Sequence, residues 1–417
     1  MSAASLDQGV NDVFEDKKHE VNYGVVRLQP LLFQDDVAKV SGDVFAAQAG
    51  NLKMEQVLES KLLDFNLDKS VFLVIGTAKQ KSKIHERLKE TPLKMCNNLM
   101  KQTTKYAYLG EVLSEDGNSV SVLETIKKRQ SNVYHLIFEI KSIIEDCRSN
   151  VVGGFITAME IWEMAVIPAL LNSADCWTNV PSKGMEILNR LQESFFRCLF
   201  KTGRGCPIPI MYWETASLTM TNRIILKKLL FIHHLENLEK ESLAFEIYQE
   251  QKRLMLPGLV SEANIMMADL EIEPSLLINS SKAMWKKMIK SKIREKNRKD
   301  LLSRIKNYKK LNYSEMKDEP FEVKQYLKTM TLTDARTMFS IKSQMTKTVQ
   351  YHFRRDKGYT ASMWSCVSCQ KIDSINHIKV CPKYDHLRLG KDLNDDKDLV
   401  HYVQEVVAAR NAVPVDD

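Results

Sequence analysis

Leu31-Leu32-Phe33-Gln34-Asp35-Asp36-Val37-Ala38 places two adjacent acids between apolar flanks. Two readings of that stretch stand. At the tip of a hairpin whose strands are rigid, Asp35 and Asp36 hold Mg²⁺, because a hard cation takes carboxylate oxygens and needs them fixed in place. Such a site serves nucleotidyl transfer, in which paired metals activate the attacking hydroxyl and stabilise the departing pyrophosphate. The other reading is a surface turn with both acids facing water, since turns are polar and Asp-Asp is common.

The segments downstream bear on the choice. A helical stretch follows the acids, then Phe65-Asn66-Leu67-Asp68-Lys69-Ser70-Val71-Phe72-Leu73-Val74-Ile75-Gly76, then Lys105-Tyr106-Ala107-Tyr108-Leu109-Gly110 and Ser114-Glu115-Asp116-Gly117. In this order the motifs resemble the second half of the reverse-transcriptase domain of non-LTR retrotransposons. There an aromatic-x-Asp-Asp box precedes a helix, an Asn-x-x-Lys-Ser/Thr strand entry and a Lys-Tyr-x-Tyr-Leu-Gly strand. The resemblance runs from about Tyr23 to the end of the chain. It implies that Asp35 and Asp36 are catalytic Mg²⁺ ligands and that Lys69 faces the leaving pyrophosphate. It also implies that Tyr106 and Tyr108 lie on the primer-gripping strand. On their own residues, Lys69 is equally a solvated lysine at a strand entrance, and the tyrosines are equally core residues with hydrogen-bonded hydroxyls. A polymerase of this family carries a further aspartate and a nucleotide-selecting segment well upstream of the Asp-Asp box, and no such pattern precedes Tyr23. The expectation is a truncated copy, inactive by itself.

At 417 residues the chain has length for two to three domains with proper cores. A formal charge of +7 suits a polyanionic partner without demanding one. Eight cysteines are too few and too irregularly placed for a secreted disulfide scaffold, so reduced thiols in an intracellular compartment, nuclear or cytoplasmic, are expected. The acid-bearing segment 1–20 fits neither a secretory nor a mitochondrial signal, and no apolar run reaches the roughly 20 residues of a membrane span.

Apolar positions then recur at helical spacing. Met54, Val57, Leu58, Lys61, Leu62 and Phe65 predict a helix of about four turns, and Val71 to Ile75 a short strand. Leu123, Ile126, Val133, Ile137, Ile140 and Ile144 predict a long helix. Ile156 to Trp177, interrupted by Pro168, resembles the family's thumb segment, in which a helix runs into a proline and ends near an acid and a tryptophan. His233 and His234 have no ligand-type neighbours at metal-binding spacing and read as structural. From Lys282 to Lys310 cations recur every two or three residues, with Trp285 among them. Lys286, Lys287, Lys290, Lys292, Arg294, Lys296, Arg298 and Lys299 form either a solvated helical face or a phosphate-tracking surface for RNA or DNA.

The cleanest local chemistry comes last. Cys366 and Cys369, seven residues, His377, three residues and Cys381 offer three thiolates and one imidazole within sixteen residues. A Cys-x-x-Cys turn supplies one edge of a tetrahedron, and a helical His-x-x-x-Cys supplies the other, so structural Zn²⁺ is expected with no position left for catalysis. The pattern resembles the Cys-Cys-His-Cys knuckle of the same retroelement proteins, followed there by Cys-Pro-x-Tyr and Arg, here Cys381-Pro382-Lys383-Tyr384 and Arg388.

The expected fold class is α+β, predominantly α. A disordered lead-in (1–22) would be followed by a truncated polymerase palm sheet (23–119), a helical thumb bundle (120–250), a basic helical linker (251–360) and a small zinc knuckle with a C-terminal helix (361–417). Expected partners are an RNA template and a DNA target or primer, with no membrane. The alternative function is a non-catalytic nucleic-acid-binding protein that uses the basic helices and the knuckle.

Overall fold

In a computed structural model the described residues are 21–28, 30–33, 36–148, 151–308, 313–346, 365–366 and 368–411. They form an α+β structure dominated by helix, as expected from the apolar periodicity. Two compact units are present. The first comprises Met1–Lys127, Ser173–Gly184 and Ile225–Met288, and the second Lys128–Asn172, Met185–Ile224 and Ile289–Asp417.

All named strands belong to the first unit. Hairpin Val21–Tyr23/Val26–Leu28 is followed by hairpin Leu31–Phe33/Asp36–Ala38, which carries the acidic stretch. Pro30, with no N–H to donate, stands between them. Val71–Phe72 pairs in parallel with Lys101–Gln102, Lys94–Met95 pairs with Asn98–Leu99, and Lys105–Tyr108 pairs with Glu111–Ser114. Among the described residues these are five separate two-stranded ladders, and no ladder joins the Asp-Asp hairpin to the later motif strands.

Helix Val44–Ser60 begins earlier and ends sooner than the spacing of Met54 to Phe65 suggested. Asp43 caps it by accepting from the Ala46 N–H at 2.8 Å, and Leu62 leaves the helix in a left-handed conformation with its side chain exposed. Trp285 is fully buried in this unit and donates Nε1–H to the Leu229 carbonyl at 2.9 Å, with His233 stacked against it.

The core of the second unit is aromatic. Trp162 stacks on Phe195 at 4.3 Å between centroids, Phe200 on Phe339 at 3.8 Å, and Phe196 meets the edge of Tyr212 at 5.0 Å. Pro168 lies just beyond a π-helical turn, Trp162–Val166, where the Ile167 N–H reaches the Trp162 carbonyl. Proline cannot donate to the ladder, so the helix absorbs the missing bond by widening rather than stopping. Among the described residues no helix is long and apolar enough to cross a membrane.

Candidate metal centre and acidic hairpin

Cys366 and Cys369 are brought together by a tight turn. The Cys366 N–H donates to the Lys371 carbonyl at 2.7 Å, the Gln370 N–H returns to the Cys366 carbonyl at 2.8 Å, and Gln370 itself is left-handed. Ser374 then caps helix Ile375–Ile378 by accepting from the His377 N–H at 3.1 Å, which turns the imidazole back over the thiols. Cys381 follows one turn later and is fully buried.

The four donor atoms lie within 4.8 Å of one another. The Cys366 and Cys381 sulfurs are 3.6 Å apart, Cys369 and Cys381 3.9 Å, and the Cys369 sulfur is 3.4 Å from His377 Nε2. A tetrahedral zinc with bonds of about 2.0–2.3 Å spaces its ligands by roughly 3.5–3.8 Å, so the set fits. No disulfide links these cysteines. Burial alone would raise the Cys366 thiol, but hydrogen bonds with His377 and with the N–H groups of Ser368 and Cys369 push it down to about 6. Burial, with Cys366 and Cys369 beside it, pushes Cys381 up to about 11. Crowded thiols thus resist sharing negative charge, and a divalent cation at their centre removes the conflict.

The terminal helix Asp396–Asn411 supports this centre. Arg388 donates to the Cys381 carbonyl at 2.9 Å, and the Tyr402 hydroxyl donates to the Ile378 carbonyl at 2.6 Å. Arg410 reaches the Tyr384 hydroxyl and the buried carboxylate of Asp373, each at 2.8 Å. Asp395 caps the helix, accepting from the N–H groups of Lys397 and Asp398. Asp373, Tyr402 and Arg410 were not legible as functional residues: nothing local in the sequence marks them.

The acidic pair is placed only in part. Asp35 lies outside the described residues. Asp36 opens strand Asp36–Ala38 opposite Phe33, immediately beyond the hairpin turn, and its side chain is exposed. It belongs to no cluster of three or more metal-ligating groups among the described residues, so Mg²⁺ gains no support there. The Tyr108 hydroxyl is held above its ordinary range by burial first, then by the carboxylate of Asp36, then by Tyr106. Tyr106 and Tyr108 are both half-buried. The hairpin that carries them turns at Leu109-Gly110, both left-handed, whereas Asp116-Gly117 leads into helix Asn118–Arg148.

Lys69 is exposed. Its backbone N–H is held by Asn66, whose carbonyl and side-chain oxygen accept at 3.1 and 3.2 Å, so the Asn-x-x-Lys-Ser motif is a side-chain-closed turn ahead of Val71–Phe72. The basic run is helix Lys282–Lys306. It buries Trp285, Ile289, Ile293, Asn297 and Leu301 at four-residue spacing, so Trp285 has no face available for a base. Lys286, Lys287 and Lys290 are exposed, and Lys292 and Lys296 half-buried. Two cations of the run are committed to the fold: Arg294 donates to the Phe321 carbonyl and Arg298 to the Lys317 carbonyl, each at 2.7 Å. Lys299 pairs with Glu295. His233 Nε2 lies 3.0 Å from the Ser280 carbonyl, and among the described residues neither His233 nor His234 belongs to a group of three or more metal-ligating side chains.

No protein-family model matches this chain, and no curated protein matches it.

Proposed function

We propose that the chain is a C-terminal part of an RNA-directed DNA polymerase of the non-LTR retrotransposon type, and that by itself it binds nucleic acid without extending a primer. What supports this reading is the order of the Phe33-Gln34-Asp35-Asp36, Asn66-Leu67-Asp68-Lys69-Ser70 and Lys105-Tyr106-Ala107-Tyr108-Leu109-Gly110 motifs, with Asp36 opening a hairpin strand opposite Phe33. In this reading the hairpins and the Lys105–Tyr108 strand are the palm, and helices Asn118–Arg148, Gly154–Ile161 and Ser182–Phe200 belong to the thumb.

Asp35 and Asp36 would ligate Mg²⁺ in the intact enzyme, and Lys69 would neutralise charge on pyrophosphate. On this reading the chain alone is expected not to polymerise. The Cys366, Cys369, His377, Cys381 set would hold Zn²⁺, which supplies folding energy to a small domain. Lys286, Lys287, Lys290, Lys292 and Lys296 would meet phosphates of RNA or DNA. Arg294 and Arg298 would instead keep the helix in place.

Duplex and hybrid binding measured over a salt series tests the proposal. Each phosphate contact steepens the log-affinity slope by about 0.9, so Lys286→Gln, Lys287→Gln and Lys290→Gln together should flatten it by roughly two to three. Asp35→Asn with Asp36→Asn should leave it unchanged. Primer extension on poly(rA) with Mg²⁺ should give no product. Robust extension, or the absence of any salt-sensitive binding, would sink the reading.

A further inference from the structure

Glycine gives up more backbone freedom in a helix than any other residue, yet Gly50 stands inside helix Val44–Ser60 and is buried there. What crosses it accounts for the choice. A Cβ at position 50 would overlap Nζ and Cε of Lys39, so the lysine lies in a notch that a glycine leaves open. Within the notch its amine donates to the carbonyls of Ala46 and Ala47, each at 3.2 Å.

Lys39 is the residue immediately after strand Asp36–Ala38. That strand pairs with Leu31–Phe33, and the ladder joins no other strand among the described residues. A two-stranded hairpin standing alone is marginal in water, so what fixes its base decides whether its tip holds one position. The notch supplies such a fixture one residue from the end of the strand. The seat disfavours charge. It lies in the first half of the helix, where the dipole opposes a cation, and burial, followed by the neighbouring Lys53 ammonium, brings Lys39 down to about 8.

We infer that Lys39 is a positioning residue: seated in the Gly50 notch, it fixes the hairpin that carries Asp36 on helix Val44–Ser60. Under the polymerase reading the same seat sets where that carboxylate meets Mg²⁺, but the seating itself does not rest on that reading. Because Lys39 titrates below the ordinary lysine value of 10.5, the neutral amine is seated in preference to the ammonium. Its contribution to the hold is full above 10.5 and is lost as the pH falls through about 8.

Side-chain NMR titration and hydrogen exchange on the full chain test the seat. Lys39 should titrate near 8 in the natural chain and return toward 10.5 in Gly50→Ala. Protection of the amides in Leu31–Phe33 and Asp36–Ala38 should fall about ten-fold or more in Gly50→Ala and in Lys39→Ala, while helix Val44–Ser60 keeps its protection in Gly50→Ala, since alanine favours a helix. The two substitutions together should lose no more than either alone, because they remove one contact. Gly50→Ala displaces only the flexible end of the lysine and serves by itself if Lys39→Ala does not fold. An ordinary titration of Lys39 in the natural chain, unchanged hairpin protection in Gly50→Ala, or losses that add in the double variant would overturn the inference. Failure of the salt-series or primer-extension experiment above would sink the polymerase reading and leave the seat untouched.

Discussion

Arg410, near the end of helix Asp396–Asn411, donates to Oδ1 of Asp373 at 2.8 Å, and Asp373 is almost wholly buried beside the metal ligands. The knuckle is therefore tied to the terminal helix by a charge pair that is not among its own ligands. Removing a partner from a buried pair costs about 3–5 kcal/mol when it strands the other charge. Arg410→Ala strands Asp373, whereas Asp373→Asn leaves Arg410, which is the more exposed of the two. Arg410→Ala is expected to destabilise the second unit by about 2–4 kcal/mol and Asp373→Asn by less. Thermal melts with zinc bound, together with the rate of zinc release to a chromogenic chelator, check both the size and the order.

Metal removal should act locally. With three thiolates and an imidazole packed around a small centre, stripping zinc leaves the thiols crowded with no cation between them. Hydrogen exchange after chelation should accelerate across 365–392 while the aromatic core around Trp162 and Phe195 stays protected. Cys381→Ser should reduce bound zinc from one equivalent to none. Uniform acceleration through the Trp162 core would show that the centre supports the whole unit.

Glu214 predicts a pH dependence. It is buried, its Oε2 meets no hydrogen-bond partner among the described residues, and burial raises its carboxyl, with Lys342, the Tyr326 hydroxyl and Lys324 opposing only in part. A carboxyl whose folded value lies above its unfolded one favours the folded state fully below the unfolded value, and that contribution is lost as pH rises through the folded value. Glu214→Gln should therefore raise stability at pH 7 relative to the natural chain, with the difference vanishing toward pH 4. Denaturant midpoints at several pH values would refute this if the two curves ran parallel.

The Leu109-Gly110 turn leaves a leucine in a left-handed conformation at φ 47°. Asparagine tolerates that region far better than a branched apolar side chain. Leu109→Asn should stabilise the hairpin by about 0.5–1 kcal/mol, and Gly110→Ala should cost about 1 kcal/mol, both read from denaturant midpoints. No change in either would place the turn outside the cooperative unit.

The four candidate metal ligands were legible in the sequence because all four lie within sixteen residues, where a short turn and one helical turn leave the chain few ways to separate them. The predominance of helix followed likewise from local periodicity, and Val133, Ile137, Ile140 and Ile144 are buried as their spacing required. Local pattern also placed Asp36 at the tip of a hairpin. It could not tell one ladder from five, since strand pairing is set by contacts between distant segments. Nor could it separate the cations of Lys282–Lys306 into Lys287, which faces solvent, and Arg294, which holds the Phe321 carbonyl. The same is true of Arg410, whose partner lies 37 residues away in the chain. Residue spacing controls what a short segment brings together, whereas the partner of a side chain across the fold depends on where every intervening element has packed.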